Sequence, residues 1–292
     1  MKKLVITLLV FTVISADAQE FTMKPKGTIS EITVVIRNLF SDLDIQGGAA
    51  GDIKLEADDY EGIPEKAAGL RPLSALGPDN SGIGLNIAQS GNIVTITGTR
   101  RNTKNTDYRI TLPANIKLRI DYGGFNSDDI TVRGMTNEVE VKSQVGDLIF
   151  TDVTGPIVAS TISSDIKVEF SSLSQSSPSS ISSVSGDIDI TLPQSSKGNF
   201  KLSSISGEIY TNLDFETNAT NQPGSWGGFG WGFGNKSPAK VPQGHYGPAP
   251  PAPPAPPAIP PVGMMVNATL NGGGVDVTIR SISGDIYIRK AK

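Results

Sequence analysis

The acidic residues are the first place to look for chemistry in this chain. Asp187 and Asp189 stand two apart in a strand-like stretch, which puts both side chains on one face. Asp42 and Asp44 repeat that spacing, and Asp128 and Asp129 are adjacent. Two carboxylates on one face are what cleavage of a glycosidic bond requires, one as acid and one as base or nucleophile. The competing reading, a row of solvated turn residues, is preferred because acids recur here wherever the chain turns a corner.

Other catalytic constellations are poorly supplied. His245 is the only histidine and lies beside a proline-rich tract, so a Ser-His-Asp relay has no credible base. Ser164 and Lys167 match the S-x-x-K spacing of serine acyl-enzymes, but that motif works on a helix with a K-T-G partner that this chain lacks. Strand alternation also places the two on opposite faces. With no cysteine there is neither a thiolate metal site nor a disulfide, and no lipid anchor on cysteine. The nonapeptide calcium repeat is missing too. The chain therefore reads as non-enzymatic, with no metal, cofactor or catalytic residue expected.

What positions the acids is a short repeated cassette. SSVSGDIDI at 182–190, LSSISGEIY at 202–210 and RSISGDIYI at 280–288 are close copies, and KSQVGDLIF at 142–150 and STISSDIKV at 160–168 are looser ones. Asp147, Asp165, Asp187 and Glu208 fall 18, 22 and 21 residues apart. A turn-plus-strand unit at such a period describes an all-β, single-stranded β-solenoid better than a single-core domain. Gly186, Gly207 and Gly284 are expected to turn the corner at positive φ, and Asp187, Glu208 and Asp285 to hydrogen-bond their own turns. These six are structural turn residues. The Ile188-x-Ile190 pattern after the corner sends two side chains to one face, an inward ladder in which each buried isoleucine contributes about 2 kcal/mol.

The flanking segments differ. Lys2 and Lys3, an apolar run from Leu4 to Ile14 and Ala16-Asp17-Ala18 lay out a signal peptide over 1–18, too short for a membrane anchor. Export to the periplasm, the cell surface or the medium is expected, with no membrane span in the mature chain. The solenoid then covers 19–213, with a decorated loop or cap at about 57–90. There Pro64, Gly69 and Pro72 restrict any helix to a turn or two. Charge argues against nucleic acid: 25 basic residues face 29 acidic ones, and removing the leader makes the balance one unit more acidic.

A second composition occupies 214–263. NQPGSWGGFGWGFGNK (221–236) is glycine and aromatic, and GPAPPAPPAPPAIPP (247–261) holds nine of the chain's twenty prolines. Neither half supplies a core, and the proline run favours a polyproline rod. Trp226, Phe229, Trp231 and Phe233 form a candidate stacking platform for a sugar or a partner protein. A last solenoid coil is expected at 264–292.

The G-[DE]-I cassettes and the ITLP strands at 110–113 and 190–193 resemble the DUF4097 family of bacterial adhesin-like proteins, especially its Bacteroidetes members. DITVRGMTNEVEVKSQVGDLIFTDVTGPIVASTISSDIKVEF (129–170) is the most family-like portion, and the likeness covers most of 28–213 and 264–290. It implies a single-stranded β-solenoid and an envelope or surface role and supplies no catalytic residues; the repeats, the leader and the lack of a credible active site point to an adhesin-like protein that binds an unidentified glycan or partner protein. The alternatives are a glycan-active β-helix enzyme using Asp187 and Asp189, or a structural or sensory envelope component. Deleting 219–263 and joining the ends is predicted to preserve a β-type circular dichroism spectrum and cooperative melting; loss of folding would make the insertion a structural lid.

Overall fold

The computed structural model describes residues 19–218 and 263–292, apart from 40, 50, 63, 71–74, 100–105, 123–128 and 174. The leader, His245, Asp128 and the 226–233 aromatics lie outside the described residues. Within them the chain is all-β, with two 3-10 turns at Ile29–Glu31 and Glu65–Ala67 as its helical elements. The strands form two large mixed sheets that do not close into a barrel.

Alternation of apolar and polar residues makes each strand one-sided, and pairs of such strands joined at a corner make a rung that contributes one strand to each sheet. At the start of the chain come β1 (Gln19–Met23), β2 (Thr33–Arg37), β3 (Leu43–Gly48) and β4 (Ile53–Asp58). They are followed by β5 (Leu85–Ser90), β6 (Ile93–Gly98), β7 (Asp107–Pro113), β8 (Lys117–Asp121) and β9 (Ile130–Arg133). The regular middle holds β10 (Val139–Lys142), β11 (Leu148–Val153), β12 (Ile157–Thr161), β13 (Ile166–Phe170), β14 (Ser179–Ser183) and β15 (Ile188–Leu192). Last are β16 (Gly198–Ser204), β17 (Ile209–Thr211), β18 (Phe215–Asn218), β19 (Met264–Leu270), β20 (Val275–Ser281) and β21 (Ile286–Lys290).

Neighbouring rungs pair in parallel and in register, so equivalent residues stack at the strand spacing of about 4.8 Å. On the first sheet Leu148 lies over Ile166, Ile166 over Ile188, and Ile188 over Ile286. On the second, Val141 lies over Ala159, Ala159 over Ile181, and Ile181 over Ile279. All of these are buried and belong to one continuous core.

The rungs do not stack in chain order. The rung β20–β21 sits between β14–β15 and β16–β17, pairing in parallel on both sides. The first rung, β2–β3, is likewise held between β6–β7 and β8–β9. Beyond the end rungs run antiparallel strands: β4 and β1 next to β7, β5 next to β6, and β19 and β18 next to β16. Antiparallel strands at a stack's ends cover apolar edges that a further rung would otherwise have to bury. The 57–90 segment thus supplies the end of β4 and the whole of β5. Asn218 and Met264, on either side of the insertion, belong to neighbouring antiparallel strands.

The corner glycines act differently from the expectation. Gly186, Gly207 and Gly284 do not have positive φ; of the cassette glycines Gly146 does, at φ 90°. They are glycines because rungs touch there. A Cβ on Gly186 would overlap the Ser164 carbonyl, one on Gly284 the Gly186 carbonyl, and one on Gly207 the Gly284 carbonyl. Buried serines finish the corner: Ser204 Oγ donates to the Gly284 carbonyl at 3.2 Å and accepts from Gly207 N at 2.9 Å, and Ser281 Oγ accepts from Gly284 N at 2.8 Å.

The corner acids are also corrected. Six aspartates accept from the backbone of a neighbouring rung, not from their own turn, while Glu208 joins through its backbone N–H alone. Asp42 Oδ1 takes Asp129 N (2.9 Å), Asp129 Oδ1 takes Asp147 N (2.8 Å), and Asp147 Oδ1 takes Asp165 N (3.0 Å). Asp165 Oδ1 then takes Asp187 N, Asp187 Oδ1 takes Asp285 N, and Asp285 Oδ1 takes Glu208 N, each at 2.8 Å. A ladder of carboxylates therefore runs along one edge of the stack.

At the N-terminal end Asp79 organises the cap. Its carboxylate accepts from the backbone of Ser81, Gly82 and Gly84 at 2.9–3.0 Å and from the Ser81 hydroxyl at 3.0 Å. Burial pushes its pKa up, but these donors outweigh it and hold the group below the ordinary carboxylate value.

Three outcomes are expected. Truncation after residue 274 leaves an empty slot between two rungs, so it should abolish cooperative melting rather than shave off an end; a merely lowered Tm would contradict the order. Ile188→Asp buries a charge and should cost at least about 3 kcal/mol in denaturant titrations, against well under about 1 kcal/mol for Ser185→Ala at the exposed corner. Because Asp79 has a depressed folded pKa, its stabilisation is present above its unfolded pKa and is lost as pH falls through the lower, folded one. Asp79→Asn should accordingly flatten the acid limb of a Tm-versus-pH curve, and an unchanged limb would count against this role.

Candidate functional site

The carboxylate ladder borders the outer face of the first sheet, and that face carries two shallow grooves. One, of about 300 Å³, is lined by Asp147, Asp165, Lys167, Asp187, Asp189, Tyr287 and Arg289. The other, of about 330 Å³ at the opposite end, is lined among others by Asp42, Asp44, Asp58, Arg109, Asp129 and Arg133. Both exist because the residue between two inward aliphatics points out, and stacking brings these outward residues into a row: Lys167, Asp189, Tyr287 and Tyr210 belong to four successive strands in register.

The electrostatics are those of paired, solvated charges. Arg289 Nε donates to both carboxylate oxygens of Asp189 at 3.0 Å. Lys167 pairs with Glu169 at 2.9 Å, and that hydrogen bond raises the lysine's pKa. In the second groove Arg133 pairs with Asp44 at 2.5 Å, and Arg109 lies 3.9 Å from both Asp44 and Asp58. Exposed pairs of this kind contribute at most about 1 kcal/mol each, so they shape the surface rather than hold the fold.

The aromatic part of the face was not anticipated. Tyr210 and Tyr287 stack with ring centroids 5.3 Å apart and planes 13° from parallel, and the Arg289 guanidinium carbon lies 5.0 Å from the Tyr287 centroid. Tyr287 donates its hydroxyl to Asp285 Oδ2 at 3.0 Å; that bond, with burial and the nearby carboxylates, raises the phenol's pKa. Tyr210 is 49% exposed on β17, the last strand of its sheet. GEIY and GDIY place a tyrosine at the same outward position of two cassettes, a signal present in the sequence. That the two rungs are neighbours was not readable, because 77 residues separate them.

Of the sequence-derived candidates, the structure brings Gly186, Asp187, Gly207, Glu208, Gly284 and Asp285 together at one edge. Asp187 and Asp189 do share the groove, but Asp187 is engaged with the next rung and Asp189 with Arg289. Ser164 is buried and Lys167 exposed, so they do not form an acylation pair. Among the described residues no group of three or more His, Cys, Asp or Glu is arranged to hold a metal ion, and no helix is long and apolar enough to cross a membrane.

A comparison with curated proteins gives no match. Two solved structures are similar. A "putative cell adhesion protein" from Clostridium sporogenes ATCC 15579 is 12% identical, with a TM-score of 0.44 over 94% of this chain and 100% of that one. A "putative adhesin" from Bacteroides fragilis NCTC 9343 is 12% identical, with a TM-score of 0.39 over 95% of this chain and 98% of that one. The family model described as Toastrack DUF4097 matches residues 6–227, most of the chain, and the chain therefore belongs to the Toastrack DUF4097 family.

Proposed function

We propose that the chain is an exported, non-enzymatic, adhesin-like protein, a β-solenoid wound from a single strand path that holds out the long face of its first sheet to a glycan or a partner protein at an envelope. The observation that carries this reading is the engagement of the face's acids. The ladder takes one oxygen of Asp147, Asp165 and Asp187, and Arg289 takes both of Asp189. A hydrolase of glycosides needs one carboxylic acid to give up a proton and a second group free to attack or to activate water. Here the pair is built into backbone and ion-pair contacts, which suits a binding face better than an acid–base site. The leader at 1–18 supports export, and Trp226, Phe229, Trp231 and Phe233 add a second candidate contact on sequence grounds.

The test is retention of labelled mature protein on bacterial and host cells, combined with incubation on a polysaccharide panel. Saturable retention without release of reducing ends or unsaturated sugars is expected. Release that disappears in Asp187→Asn would establish the glycan-active enzyme instead.

A further inference from the structure

The groove beside the tyrosine stack is the feature of the molecule that points furthest toward a ligand chemistry. It includes Tyr287, whose ring stacks with that of Tyr210 and lies under the Arg289 guanidinium. Tyr210 stacks on one side only: its strand pairs with β21 and closes the sheet, and among the described residues no ring or cation covers its other face. Flat, half-exposed aromatic rings fixed by a stack lose little entropy when a second flat apolar surface is laid on them.

The polar lining has an equally specific character. Asp147, Asp165 and Asp187 each spend Oδ1 on the following rung's N–H, which leaves Oδ2 of each outside the ladder, and all three residues line the groove. These oxygens repeat along the stack at the rung spacing of about 4.8 Å, close to the length of one pyranose residue. They are acceptors, so they match hydroxyl or amide donors. Four aspartates against Lys167 and Arg289 leave the lining with excess negative charge, which disfavours uronic acids and sulfated sugars. The volume, about 300 Å³, is at the low end for a ligand pocket and suits a short stretch of a longer chain.

We infer that this groove, with Tyr287 in its lining and Tyr210 stacked beyond it, is a subsite for an uncharged glycan whose pyranose rings carry equatorial hydroxyls. Such rings have one flat face of C–H groups for the tyrosines and a rim of donors for the aspartates. The chain lies along the ladder, with hydroxyls on Asp165 and Asp187, and crosses the stack toward the free face of Tyr210. This assignment rests on the binding reading above and specifies its ligand class.

Calorimetric titration of the full mature chain with cellohexaose, chitohexaose and a galacturonate hexamer tests it. Binding of one or both uncharged hexamers is expected, with the galacturonate at least tenfold weaker. Tyr210→Ala should weaken the uncharged hexamer by about tenfold at unchanged Tm, since its side chain is exposed on an edge strand. Lys201→Ala on the other sheet should have no effect. Absence of heat with both uncharged hexamers, equal binding of the galacturonate, or unaltered affinity in Tyr210→Ala would each overturn the assignment. Cell retention separates the two levels: Tyr210→Ala that stays on cells as the parent does removes this subsite but keeps the adhesin-like reading. Hexamer binding without any cell retention does the reverse.

Discussion

Everything in this molecule follows from rungs that must lie in register at strand spacing. Parallel strands offer no hairpin to fix their alignment, so register has to be set elsewhere. Here the corners set it. A carboxylate on one rung receives the N–H that opens the strand of the next, and a glycine lets the two backbones come within contact. Slipping by one residue would break each of these bonds and turn every Ile-x-Ile pair outward. The aliphatic columns provide most of the stabilisation through burial, but they are tolerant of which aliphatic residue faces which. The corners are not tolerant, and that is why they repeat most closely in the sequence.

The displaced end rungs give the same constraint a second use. A solenoid whose first and last segments formed its outermost rungs could fray one rung at a time. In this chain both segments are penultimate, so opening either one breaks two ladders instead of one. The outermost rungs are then finished by antiparallel strands except at β17, which ends its sheet. The arrangement also sets the outer face of the first sheet, because Tyr287 arrives beside Tyr210 only by virtue of the late rung entering the stack ahead of the earlier one.

Much of this was legible and the limits have physical causes. The all-β class, the inward position of Ile188 and Ile190, and the shared corner of Asp187, Glu208 and Asp285 follow from alternation and repetition. The role of Gly186, Gly207 and Gly284 is not legible because a glycine at a corner fits either a left-handed backbone or a close approach, and composition does not separate the two. The aspartates were assigned to their own turns for a similar reason: the local bond is always available to a sequence reading, whereas the rung-to-rung bond exists only once the rungs are stacked. The order of the last two rungs was invisible, since cassettes of equal quality fit any slot. The tyrosine stack depends on that order and is not legible from the sequence alone.

The account stands on the late rung being interior. Hydrogen–deuterium exchange resolved over Ile286–Lys290 measures this most directly, because exchange from a terminal rung proceeds by local fraying whereas an interior one opens only with its neighbours. Protection equal to that of Ile166–Phe170 in the middle of the stack is the predicted result. Exchange of Ile286–Lys290 as fast as that of the edge strand Ile209–Thr211 would contradict it.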